Sequence, residues 1–66
     1  MTMGEKLQRL RTNAEFSQEE LAERLGVSRQ AVSKWESGAS DPSTSNLLAL
    51  AKLYGISAEE LLKSTS

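Results

Sequence analysis

Residues 18–36 carry the strongest structural signal in the chain, and they read QEELAERLGVSRQAVSKWE. Two short apolar stripes are separated here by Gly26, a residue that adopts the positive φ of a sharp helix–helix turn without steric cost. Ala22 is small, as a close crossing of two helices requires. Val32 and Trp35 supply the apolar side chains that hold the second helix against the first. This order of residue types predicts two helices joined by a tight turn, the helix-turn-helix arrangement.

The flanking sequence predicts three further helices, because helix caps and helical apolar spacing recur while strand-like alternation is absent. Ser17 and Ser57 are each followed three residues later by Glu, a capping box that marks a helix start. Ser28 is a cap without that Glu, and residues 39–43 are a turn by composition. The predicted helices cover residues 3–13, 17–25, 28–37, 43–54 and 57–63. The predicted fold is therefore all-α, a five-helix bundle forming a single domain over residues 1–66.

The composition of this 66-residue chain excludes most kinds of chemistry. It contains no Cys and no His, so it can form no disulfide, no thiolate or imidazole zinc site, and no Cys–His or Ser–His dyad. A core this small has little room for the cavity of a typical small-molecule site. We therefore expect no enzyme activity, no metal, no cofactor and no small-molecule ligand. The longest apolar run, residues 47–51, is too short to span a membrane, so a cytoplasmic protein is expected.

The second helix of the pair has one apolar and one polar face. At about 100° per residue, Ser33 and Lys34 lie within about 60° of Gln30, whereas Val32 and Trp35 lie on the other side. The polar face and Arg29 at the helix start match the base edges of the DNA major groove, because Gln pairs with adenine, Arg or Lys with guanine, and Ser with either. An ordinary solvated helix face has a similar composition and is the alternative from these residues alone.

Four phrases in register resemble the Cro/repressor-type helix-turn-helix family, also called the xenobiotic-response-element family and typified by lambda-like phage repressors. They are FSQEELA at residues 16–22, LGVSRQ at 25–30, VSKWESG at 32–38, and Pro42 followed by LLALAKLYGIS at 47–57. The resemblance extends over about residues 4–62. It implies a lambda-repressor-like five-helix domain that is usually dimeric on DNA, with its third helix in the major groove.

The resemblance also implies roles for individual residues. The family's base-contacting positions are occupied by Arg29, Gln30, Ser33 and Lys34. Gln18 falls where the family holds a phosphate with a side chain and a helix N-terminus. Further phosphate contacts are expected from Ser17, Ser28, Ser37, Ser40 and Ser43. Arg11 and Glu36 occupy the positions of a structural ion pair.

This sequence departs from the family pattern at two places. Glu15 stands where many members have Gly, so the turn is strained by about 1 kcal/mol if φ is positive there. The turn at residues 39–45 contains Asp41 and no Lys or Arg, although many relatives are basic there. We therefore expect weak phosphate contacts from that turn.

The charge balance opposes a nucleic-acid partner at first sight. The chain has 8 Lys+Arg against 9 Asp+Glu, a net charge of −1. Lys6 and Arg9 are candidates for flanking phosphate contacts, although a plain solvated face explains them as well. With few phosphates neutralised per monomer, we expect weak monomer binding and a salt slope of about −0.9 per contact. Useful affinity then requires a homodimer on a palindromic operator with half-sites about one helical turn apart.

The predicted function is sequence-specific binding of double-stranded DNA as a transcriptional regulator, acting as a repressor by steric occlusion. The acidic balance favours an alternative, a protein-interaction module such as an antitoxin or anti-repressor with weak or secondary DNA binding. Dimerisation is expected through the last helices, where the apolar residues left outside one core stripe are Leu48, Leu53, Leu61 and Leu62. Burial of all four within the monomer is the alternative.

Overall fold

The computed structural model describes residues 1–63. Over these residues it contains five helices, namely α1 (Met3–Asn13), α2 (Gln18–Leu25), α3 (Arg29–Ser37), α4 (Thr44–Tyr54) and α5 (Ala58–Lys63). The predicted all-α fold is confirmed, and the predicted bounds differ only where a capping Ser lies one residue before its helix. None of the helices within residues 1–63 is both long and apolar enough to span a membrane.

The helix starts are stabilised by local side-chain caps. Ser17 Oγ accepts a hydrogen bond from the Glu20 N–H at 3.0 Å, and Glu20 Oε1 accepts one from the Ser17 N–H at 3.0 Å, which confirms that capping box. Hydrogen bonding from the Ser17 backbone lowers the pKa of Glu20, because it favours the carboxylate. Thr2 and Glu5 form the same box before α1. This third box was not predicted, although the Thr-x-x-Glu spacing of residues 2–5 is visible in the sequence.

Two turns connect α2 to α1 and to α3, and each contains a residue with positive φ. Gly26 ends α2 with φ 73° and ψ 32°, and the next N–H, that of Val27, donates to the Ala22 carbonyl at 2.9 Å. Glu15, in the turn before α2, has φ 62° and is the non-glycine residue with positive φ within residues 1–63. The condition for strain at Glu15 is therefore met, because an L-residue has a Cβ clash in this region.

The core contains apolar side chains from all five helices. The buried members are Leu7, Leu21, Ala22, Val32, Trp35, Leu50, Ala51 and Leu61. This packing corrects the assignment of the four leucines of the last helices, which are neither all left outside the core nor all buried. Leu61 is fully buried because α5 turns it inward, and Leu53 is half-buried against the core, whereas Leu48 and Leu62 are 55% and 45% exposed.

The N-terminal turn of α1 lies directly against the C-terminal turn of α3. A Cβ atom at the buried residue Gly4 would lie 2.5 Å from the Glu36 carbonyl oxygen and 2.7 Å from that of Trp35. Real Cβ atoms do not approach backbone oxygens so closely, so this contact requires glycine. The backbone of α1 therefore packs directly against the C-terminal turn of α3.

Candidate nucleic-acid interface

The orientation of α3 is set by its cap and its inner face. Ser28 Oγ accepts a hydrogen bond from the Ala31 N–H at 3.1 Å and begins the helix one residue later. Val32 is 0% exposed and Trp35 is 6% exposed, so both side chains are fixed in the core. Because these residues recur on one side of the helix, the opposite side is turned toward solvent.

The four predicted base-contacting residues lie together on that outer side. Arg29, Gln30 and Lys34 are exposed, and Ser33 is partly exposed. All four line one open depression of about 280 Å³. Its rim carries a guanidinium, an amide, a hydroxyl and an ammonium group and no carboxylate. The depression therefore offers hydrogen-bond donors in excess of acceptors, the balance that suits guanine and phosphate oxygens.

A mostly buried ion pair holds α3 against α1. Arg11 Nε lies 2.7 Å from Glu36 Oε2, and Arg11 Nη2 donates to Glu36 Oε1 at 3.1 Å. A third donor, Arg11 Nη1, reaches the Phe16 carbonyl at 2.8 Å. The hydrogen bond to Glu36 raises the pKa of Arg11 above its ordinary value, because it favours the charged guanidinium. The structure thus contains the ion pair that the family resemblance implied.

The side chain of Gln18 takes part in the same network. Its Nε2 donates to Glu36 Oε1 at 3.1 Å, and its Oε1 lies 3.5 Å from Arg29 Nη1, the long end of the hydrogen-bonding range. Gln18 was expected to hold a phosphate; its side chain forms hydrogen bonds within the domain, and the phosphate contact stays a prediction. The network joins residues from α1, α2 and both ends of α3, and no local sequence pattern predicted it.

Most of the serines expected at phosphates already have a structural role. The hydroxyls of Ser17, Ser28 and Ser43 are helix N-caps that accept backbone N–H bonds. Ser37 Oγ donates to the Lys34 carbonyl at 3.2 Å, and Ser40 is exposed in the turn before α4. A cap uses a lone pair of the oxygen, so the hydroxyl proton of each capping Ser can still donate to a phosphate.

The charges around α3 are mixed. Lys6 Nζ donates to the Glu60 carbonyl at 2.7 Å and so links α1 to α5. Lys6, one of the two residues suggested for flanking phosphate contacts, therefore has a structural role that does not involve DNA. Arg24 lies over the ring of Phe16, with 4.8 Å between its guanidinium carbon and the ring centroid. The carboxylates of α2 remain exposed, and they belong to Glu19, Glu20 and Glu23.

In this small helical bundle, Gly26 forms the turn between α2 and α3, and α3 buries its apolar side and exposes its polar side. This arrangement defines the class of helix-turn-helix domains. Comparison with known proteins agrees with this class. The family model described as Helix-turn-helix matches residues 7–61. The chain belongs to this family, whose members are DNA-binding transcriptional regulators.

Among the related proteins, the HTH-type transcriptional activator BcrR of Enterococcus faecalis is 48% identical over 62 residues, covering 94% of this chain and 30% of BcrR. Repressor protein C2 of Salmonella phage P22 is 39% identical over 61 residues, covering 92% of this chain and 28% of C2. The chain thus spans about a third of these two relatives.

A solved structure of the P22 c2 repressor with the synthetic operator 9T matches the fold with a TM-score of 0.87. The two chains are 38% identical, and the match covers 96% of each. This likeness confirms the lambda-repressor-like architecture that the sequence predicted.

Proposed function

We propose that this domain binds double-stranded DNA sequence-specifically, with α3 in the major groove, and that it represses transcription in the cytoplasm by occluding a promoter. The observation that carries the proposal is the outer face of α3, where four donor-rich side chains share one depression while Val32 and Trp35 fix the inner face. Arg29 and Lys34 suit guanine, Gln30 suits adenine, and Ser33 suits either. The P22 c2 repressor, whose fold this chain shares, was solved with a synthetic operator, which supports the proposal.

Binding is proposed to use a homodimer on a palindromic operator. Leu48 on α4 and Leu62 on α5, which are 55% and 45% exposed, are the large aliphatic side chains of these helices that stay exposed in the described part of the chain. Burying them against a second copy favours association, because removing apolar surface from water is stabilising. A dimer also doubles the few cationic contacts that one acidic domain offers to phosphates.

The test is selection of duplexes from a random pool, followed by a salt titration of the selected site. The proposal expects enrichment of a palindrome with half-sites about one helical turn apart, and a shallow salt slope of about −0.9 for each phosphate contacted. Absence of enrichment at low salt would contradict it and favour the protein-interaction alternative, for which the exposed carboxylates of α2 provide a surface.

The repressor role needs its own experiment. Transcription from a promoter that overlaps the selected site is measured in a purified system with increasing amounts of the protein. Steric occlusion predicts that transcript falls as the site fills, and that a promoter with the site scrambled is unaffected. Increased transcript would show an activator instead.

A further inference from the structure

The carboxylate of Glu36 accepts hydrogen bonds from two other helices. Arg11 of α1 donates to it at 2.7 and 3.1 Å, and Gln18 of α2 donates at 3.1 Å. The Glu36 side chain is only 6% exposed, so it lies behind the outer face of α3. It therefore cannot be the group that touches DNA, and its influence on DNA must pass through a neighbour.

The hydrogen bond to Glu36 determines which end of the Gln18 amide faces outward. An ionised carboxylate only accepts hydrogen bonds, so the amide nitrogen of Gln18 has to face it. The amide oxygen then points away and lies 3.5 Å from Arg29 Nη1. A guanidinium only donates, so this orientation suits Arg29 and the reversed amide would not.

We propose that Glu36 is a positioning residue for base recognition, because it fixes the Gln18 amide whose oxygen in turn orients the Arg29 guanidinium. The inference rests on the proposed binding of α3 to DNA and adds a residue that does not face the groove. An arginine oriented before binding loses less side-chain freedom when it pairs with a base. The contact between Arg29 Nη1 and Gln18 Oε1 is 3.5 Å, the long end of the hydrogen-bonding range, so it biases the direction of the guanidinium without immobilising it.

The first variant is Glu36→Gln, which keeps the shape of the side chain. Arg11 Nε donates to Oε2 of Glu36, whereas Arg11 Nη2 and Gln18 Nε2 share Oε1. When the oxygen of the new glutamine takes the Oε2 place, its amide nitrogen faces Gln18, so the Gln18 amide inverts and presents hydrogen atoms to Arg29. On the selected duplex, discrimination at the base pair that Arg29 contacts is expected to fall about tenfold, and discrimination at other base pairs is retained. Arg29→Ala identifies that base pair, because it removes discrimination there.

The matched control is Arg11→Lys, which breaks the bidentate ion pair and leaves the Glu36 carboxylate to accept from Gln18. Both variants lose stability, so binding is measured at a temperature where circular dichroism shows them folded. The control is expected to keep the parental base-pair profile. Gln18→Met is a second variant that leaves the ion pair whole, and it is expected to lose discrimination at the same base pair but to add nothing in an Arg29→Ala background.

A spectroscopic measurement tests the arrangement without DNA. In the parent and in Arg11→Lys, one side-chain amide proton of Gln18 is expected at low field in the NMR spectrum because it is bonded to a carboxylate. In Glu36→Gln this shift is lost. If the parent selects no duplex, the proposed function fails while this amide signal still tests the contact. If Glu36→Gln and Gln18→Met keep the parental discrimination, or lose affinity equally at every position, the positioning role is wrong.

Discussion

The inner and outer faces of α3 meet different physical requirements although they alternate along nine residues. On the inner face Val32 and Trp35 are buried, and the Glu36 carboxylate is hydrogen-bonded to two helices. On the outer face Gln30 and Lys34 are exposed. Packing in the core therefore constrains Val32 and Trp35, whereas Gln30 and Lys34 lie outside the core. Stability and recognition can thus be changed separately at these four positions, whereas Glu36 is proposed to affect both.

The largest expected effect is on the inner face. Trp35→Ala removes a large buried side chain and is expected to lower the free energy of unfolding by about 3–5 kcal/mol. A domain of this size has only about 3–5 kcal/mol in total, so the variant should be largely unfolded. Urea titration followed by far-ultraviolet circular dichroism measures this loss.

The control for Trp35 lies on the same helix. Gln30→Ala on the outer face should change the free energy of unfolding by no more than about 0.5 kcal/mol. Unfolding of Trp35→Ala at the parental urea midpoint, or equal destabilisation of both variants, would contradict the expected difference in stability between the two faces.

A smaller change in the free energy of unfolding is expected in the turn before α2, which lies outside the proposed DNA-binding surface. Glu15 has φ 62°, and Glu15→Gly relieves the Cβ clash, so the free energy of unfolding should rise by about 1 kcal/mol. Glu15→Ala removes the charge but keeps the clash and should bring no such gain. Equal gains in both variants would show that charge, and not backbone strain, is the cause.

The smallest effect concerns Tyr54, whose buried hydroxyl has no hydrogen-bond partner in the described structure. Tyr54→Phe removes this hydroxyl and should leave the free energy of unfolding equal to the parent's or up to about 1 kcal/mol higher near neutral pH. Thermal unfolding monitored by circular dichroism checks this. A clear loss of stability would mean that the hydroxyl has a partner in solution.

Tyr54 also gives a pH dependence. Burial raises the pKa of its phenol to about 12 from an ordinary value of 10.0. A raised pKa means that folding favours the neutral phenol, so this contribution is complete below pH 10 and is lost as the pH rises through 12. Between these values the parent should lose stability relative to Tyr54→Phe. A constant difference between the two proteins across this range would contradict the burial.

The features that sequence predicted well are encoded over short distances along the chain. Ser17 with Glu20, and Gly26 after α2, mark helix ends by their own chemistry, so the helix bounds needed no knowledge of tertiary structure. The outer face of α3 followed from helical periodicity in the same way. Whether these residues contact bases remains a prediction.

The features that sequence did not provide depend on how distant elements meet. Leu61 and Leu62 are adjacent and both apolar, and only the docking of α5 decides that Leu61 is the buried one. Lys6 reaches a carbonyl 54 residues further along the chain. The position of Gln18 against Glu36 likewise depends on three helices, and no local pattern marks it.

We claim that the outer face of α3 recognises DNA bases, and equilibrium binding of the selected duplex decides this. Gln30→Ala and Lys34→Ala are compared with Gln8→Ala and Lys52→Ala, exposed residues of the same types on α1 and α4. Each α3 variant should lose about 1–3 kcal/mol of binding free energy, roughly 5- to 150-fold in affinity, and the controls should bind nearly as the parent does. Parental affinity in both α3 variants would contradict the claim.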